Sequence, residues 1–139
     1  MKYFIDTNVI IDLLNNDEKA KAQLKALFLE EESELFINRL IVMETLRTIH
    51  FNHKKVFREA EKKLTLFRQV DIKPKIYKDA VAFSRFCHSK GIKIKGKCEA
   101  IDFLHFITAK YYDLIIVSND RDMSKLEGTY SKFLESLNA

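Results

Sequence analysis

The chain has 139 residues, 47% hydrophobic and 32% charged, a balance suited to one globular domain that buries its own core. Its formal net charge of +4 and isoelectric point near 9.0 favour a polyanionic partner without requiring one. No apolar run approaches the ~20 residues that span a bilayer and no secretory leader is recognisable, so no membrane partner is expected and the cytoplasm is the default location.

Tyr3-Phe4-Ile5 reads as a short buried strand that ends at Asp6. Asn8 is placed to cap a brief helix through Leu14, which Asn15-Asn16-Asp17 breaks. A second helix puts Ala20, Leu24, Leu27 and Phe28 on one face and ends in the acidic run Glu30 to Glu32. Leu35-Phe36-Ile37 predicts a second strand, and Asn38 a cap for a helix from Arg39 to about His53. A further helix, roughly Phe57 to Phe67, turns Ala60, Leu64 and Phe67 inward, and Val70 to Lys73 reads as a strand halted by Pro74. Ile76 to Ser89 is helical, with Ala80, Phe83, Phe86 and Cys87 as its apolar stripe, and another helix covers Glu99 to Tyr112. Leu114-Ile115-Ile116-Val117 is the plainest strand, its unbroken apolar run suggesting burial on both faces. The tail, Tyr130 to Leu137, reads as helix. Strands alternating with helices predict an α/β fold over residues 1–139 as a single domain. With only three glycines and one proline, long linkers are not expected. Cys87 and Cys98 lack CxxC spacing and read as buried thiols rather than a disulfide.

Four acids stand out because each lies in or beside apolar sequence: Asp6, Glu44, Asp102 and Asp120. Asp6 and Asp120 follow predicted strands, whose C-terminal ends share one edge in a parallel sheet. Glu44 and Asp102 sit inside apolar helical runs, where a carboxylate either faces solvent or is held by a cation. Converging carboxylates repel one another unless a divalent ion neutralises them, and an all-oxygen ligand set suits Mg²⁺ or Mn²⁺ better than zinc. Glu99 lies three residues before Asp102 and either supports such a site or is a surface acid favoured by the helix dipole. His105 reads as a core or partner-facing histidine, and His50 with His53 lacks a third zinc ligand. Lys90, Lys93, Lys95 and Lys97 form either a phosphate-tracking segment or an ordinary solvated loop. Arg47, one turn from Glu44, either contacts a phosphate or pairs with the glutamate.

Together these segments resemble the PIN domain family, and within it the VapC-type toxin ribonucleases. The resemblance rests on Phe4-Ile5-Asp6-Thr7-Asn8-Val9, on Glu44, on Asp102 with Ile107 and Ala109, and on Leu114 to Val117 followed by Ser118-Asn119-Asp120-Arg121-Asp122. These pieces occur in the family's order across almost the whole chain. The chain departs from the family at Met123, where Phe is common, and in lacking a recognisable last edge strand. The resemblance implies a three-layer, Rossmann-like α/β/α domain with a central parallel sheet of about four or five short strands. It also implies a Mg²⁺- or Mn²⁺-dependent endoribonuclease, the toxin of a toxin–antitoxin pair, acting as a homodimer on RNA and restrained by an antitoxin protein. Asp6, Glu44, Asp102 and Asp120 would be the catalytic acids and metal ligands; Asp120 fits the motif better than Asp122. Thr7, Asn8, Ser118, Arg47, Lys93, Lys95 and Lys97 would orient carboxylates or contact substrate, although Thr7 and Asn8 also suit a helix cap. A housekeeping PIN nuclease and a catalytically silent PIN scaffold are the alternatives.

Overall fold

A computed structural model describes residues 1–94 and 99–138. The chain is α/β, with a four-stranded parallel sheet flanked by helices, and it divides into two compact units. One comprises residues 1–71 and 114–119, the other residues 72–113 and 120–139.

The first unit holds the sheet. Strand β1 (Lys2–Ile5) leads into helix α1 (Thr7–Leu14), and Asn16, at φ 61°, turns the chain towards helix α2 (Glu18–Leu29). Asp17 caps α2 by accepting from the backbone N–H groups of Lys19 and Ala20. Strand β2 (Glu34–Ile37), helix α3 (Arg39–Leu46), helix α4 (Lys54–Leu64), strand β3 (Arg68–Gln69) and strand β4 (Ile115–Val117) complete the unit. The strand order is β3-β2-β1-β4, with every pairing parallel. Central β1 therefore has its apolar run buried, Phe4 and Ile5 completely. The chain leaves β1 towards β2 on one side and returns to it from the other side as β4. Open α/β sheets gather ligand sites outside the carboxyl ends of strands at such a reversal.

The second unit is helical: α5 (Pro74–Ser89), α6 (Glu99–Tyr111) and α7 (Arg121–Leu137). Its core is aromatic. Phe83 stacks on Phe106 at 5.3 Å between centroids and meets Phe103 and Tyr130 edge-on at 5.6 and 5.5 Å. Such pairs contribute about 0.5–1.5 kcal/mol each beyond the area they bury. Among the described residues, no helix is long and apolar enough to cross a membrane.

Several local expectations change. Helix α3 stops at Leu46, seven residues short of His53, because the backbone tightens there: Thr48 and Ile49 donate to the carbonyls of Thr45 and Leu46, three residues back. The Thr48 hydroxyl also donates to the Thr45 carbonyl, competing with continued helix. Strand β3 lies at Arg68–Gln69 rather than Val70 to Lys73, although Val70 N–H still donates to Ile37 O at 3.0 Å. Strand β4 is an edge strand with Ile115 45% exposed, so its apolar run does not mark burial on both faces. Pro74 occupies the first turn of α5, where its missing N–H costs nothing, and α7 begins at Arg121 rather than Tyr130.

Candidate active site

Asp6 follows directly from the way β1 ends. Its backbone N–H donates to Val117 O at 2.9 Å, carrying the β1–β4 ladder one residue further. Its extended backbone then hands over to α1, and its carboxylate accepts from Thr7 N–H at 2.8 Å. Asp6, not Asn8, is therefore the residue that caps α1. Because Val117 pairs with Ile5, the residue that follows β4, Ser118, arrives beside Asp6 and donates its hydroxyl to Oδ2 at 2.8 Å.

Asn8, released from capping, turns to the same corner. Its Nδ2 donates to Ser118 Oγ at 3.3 Å and its Oδ1 accepts from Asn119 N–H at 3.2 Å. Asn119 in turn donates from Nδ2 to Asp12 Oδ2 at 3.0 Å. Glu44, half-buried on α3, accepts the Thr7 hydroxyl at 2.8 Å on Oε1. Arg47 is exposed at the C-cap of α3. In the sheet unit, Asp6, Thr7, Asn8, Glu44 and Ser118 thus form two hydrogen-bonded sets joined by the peptide between Asp6 and Thr7. Asn119 and Asp12 extend this network, a role that sequence reasoning misses. The available clue was the four-residue spacing of Asn8 and Asp12, which puts both on one helical face.

Asp6 is only 4% exposed. Its described partners are a backbone N–H and a hydroxyl, both neutral, and no described lysine, arginine or histidine pairs with it. Burying a carboxylate without a cationic partner is costly, and a bound cation would offset that cost.

The helical unit positions the remaining acids differently. Asp102 is half-buried in the first turn of α6. Glu99, at the start of the same helix, pairs with His88 of α5. Asp120 caps α7 by accepting from Asp122 N–H at 2.9 Å. Asp122 is 7% exposed and its carboxylate lies 3.3 Å from Lys125 Nζ. His105 is buried in α6. Burial, with the neighbouring Glu99 carboxylate adding to it, pushes the Cys87 thiol up to about 11. Lys93 is exposed just beyond α5, whereas Lys95, Lys97 and Cys98 lie outside the described residues.

Residues 3–128 match the PIN domain family. The chain belongs to that family, which is a family of nucleases. No curated protein matches the chain in sequence. Among solved structures it is similar to VapBC2 from Rickettsia felis, solved on a DNA fragment from its promoter, with TM-score 0.75 and 16% identity over 91% of this chain and 93% of that one. It is also similar to FitAcB from Neisseria gonorrhoeae, with TM-score 0.72 and 24% identity over 91% and 92%. A toxin–antitoxin complex from Klebsiella pneumoniae matches with TM-score 0.64 and 21% identity over 86% and 88%. At these identities the likeness establishes the PIN fold.

Nucleases of this family generally use divalent metal ions. Among the described residues, no three His, Cys, Asp or Glu side chains stand together as a ready-made metal cluster. The donors nevertheless have the right chemistry. Asp6 is a buried carboxylate with neutral hydrogen-bond partners, Glu44 is anchored through Thr7, and every candidate ligand atom is a carboxylate oxygen.

Proposed function

We propose that this PIN domain, taken as residues 1–139, is a Mg²⁺- or Mn²⁺-dependent endoribonuclease and the toxin of a toxin–antitoxin pair. The observation that carries the nuclease reading is Asp6, a buried carboxylate at the carboxyl end of the central strand, braced by Ser118 and Thr7 without a described cationic partner. The metal would be held by Asp6, Glu44, Asp102 and Asp120, with Asp122 and Glu99 as the remaining candidates. When bound, it would supply Lewis acidity and a more acidic water.

The protein's own contribution is orientation. Ser118 occupies one oxygen of Asp6 and the Thr7 amide the other, which fixes the plane of the carboxylate. Thr7 donates its hydroxyl to one oxygen of Glu44, and Asn8 donates to the Ser118 hydroxyl. No side-chain nucleophile is needed: water would attack phosphorus in line with the 3′ oxygen, whose bond to phosphorus breaks and which leaves as the 3′-hydroxyl, so the phosphate stays on the 5′ side. Arg47 and Lys93 are exposed cations suited to substrate phosphates. The toxin role is supported by likeness to proteins solved as VapBC and toxin–antitoxin complexes; an antitoxin partner, a homodimer and a cytoplasmic setting belong to the same reading.

The chemistry is tested by incubating a mixed RNA pool with wild type and Asp6→Asn, in Mn²⁺ or Mg²⁺, with and without chelator. Wild type should cut and leave 5′-phosphates, while the variant and the chelated enzyme should not. Equal cleavage by both proteins, or activity that survives chelation, would remove the metal-site reading. Co-expression with the product of a small adjacent reading frame should suppress toxicity; a chain harmless to its host when produced alone would favour a housekeeping nuclease.

A further inference from the structure

Gly128 lies well inside α7, where glycine is the least favourable residue other than proline. A Cβ built there would meet no atom of the described residues within 4 Å, so the space beside it is open. Packing against the described residues does not call for a glycine at this position. Gly128 instead lines a groove of about 580 Å³ with Gly91, Lys93, Ser124, Lys125 and Lys132. Gly91, at φ +71°, is needed for a different reason, because the chain turns there in the left-handed region to bring Lys93 to the groove. Lys125, Gly128 and Lys132 follow the spacing of one helical face, so the glycine leaves a gap between two lysines. Lys125 already shares its charge with Asp122 at 3.3 Å, leaving Lys93 and Lys132 as the main cations among the described residues of the groove.

We propose that this groove holds the sugar–phosphate backbone of single-stranded RNA, with Lys93 and Lys132 on phosphates and Gly128 letting the strand approach the α7 backbone. The inference rests on the RNA-cleaving reading and extends it to a surface lined by none of the four catalytic acids. Contacts of this kind position substrate without reading its sequence.

The test measures binding of a labelled oligouridine to the full chain in chelator, so that no cleavage intervenes, across a series of salt concentrations. The variants are Lys93→Gln with Lys132→Gln, which spares the Asp122–Lys125 pair, and Gly128→Gln, which fills the gap with an uncharged helix former. The lysine pair should weaken binding roughly tenfold at low salt and lower the salt slope by roughly 1.4, about 0.7 for each lost phosphate contact. Gly128→Gln should weaken binding while its urea midpoint stays at or above wild type, a combination that a damaged fold cannot produce. Wild-type affinity and slope in both variants would overturn the groove, as would tighter binding of duplex RNA or of DNA of the same sequence. If wild type still cuts RNA in that case, the nuclease reading stands without the groove; if wild type neither binds nor cuts RNA, both fall.

Discussion

Asp6 and Asp122 are two aspartates of similar burial in different units, and their partners separate them. Asp122, in the first turn of α7, is 7% exposed and has Lys125 at 3.3 Å. Asp6, at the end of β1, is 4% exposed and meets neutral donors, with no described cation paired to it. A fold that pairs one buried carboxylate with a lysine has committed that charge to its own structure. A carboxylate braced by a hydroxyl and an amide is oriented but not neutralised, as a metal ligand must be before its metal arrives. The contrast ranks Asp6 ahead of Asp122 as a candidate metal ligand.

The comparison is sharpest in activity. Asp6→Asn, which keeps the shape and removes the charge, should lower metal-dependent RNA cleavage by at least about a hundredfold, whereas Asp122→Asn should cost under about tenfold. Reversal of that order would break the assignment. Ser118→Ala leaves one oxygen of Asp6 without its hydroxyl donor and should reduce cleavage by about ten- to a hundredfold, with a stability loss of about 1–3 kcal/mol. A Ser118→Ala protein with full activity would mean that the hydroxyl does not orient the carboxylate.

Stability should divide the two residues far less than activity does. Asp122→Asn loses both its attraction to Lys125 and its favourable place at a helix N-terminus, together about 0.5–1 kcal/mol given the exposure of the lysine. Asp6→Asn removes a buried carboxylate that lacks a described cationic partner but keeps an oxygen able to cap α1, so the metal-free variant should stay within about 1 kcal/mol of metal-free wild type by urea denaturation. A large loss of stability in Asp6→Asn would mark that aspartate as structural after all.

The smallest expected effect lies in the helical unit. The Cys87 thiol is raised from 9.0 to about 11 by burial first and by Glu99 second. Its folded value lies above its unfolded one, so its contribution is fully present below pH 9.0 and is lost as the pH rises towards about 11. Urea midpoints measured over that window should fall, and the fall should be shallower in Cys87→Ala than in wild type. Identical slopes would show that this thiol is not linked to folding.

Much of the sheet unit was legible because its signals are local. The apolar runs at residues 3–5 and 35–37 mark β1 and β2, and Asn38 caps α3 by accepting from Ile41 N–H at 2.9 Å, as its sequence position suggested. Arg68–Gln69 was not legible, since both residues are exposed and polar and only their backbone groups pair with β2. The run Leu114 to Val117 misled in the other direction: as an edge strand it is apolar without being buried on both faces. At the candidate site, the residue types could be read but not their division of labour. Asp6 and Asn8 both suit a helix cap, and the choice between them depends on Ser118 and Asn119, more than a hundred residues away in sequence. The lysines of α7 were passed over because Lys125 and Lys132 are ordinary alone, and only the folded chain sets them beside Gly128 and Lys93.

Titration calorimetry of Mn²⁺ into metal-stripped wild type, Asp6→Asn and Asp122→Asn tests the contrast most directly. Wild type and Asp122→Asn should bind with similar affinity, and Asp6→Asn about a hundredfold more weakly or not at all. Mn²⁺ binding to Asp6→Asn as tight as to wild type would contradict Asp6 as a metal ligand.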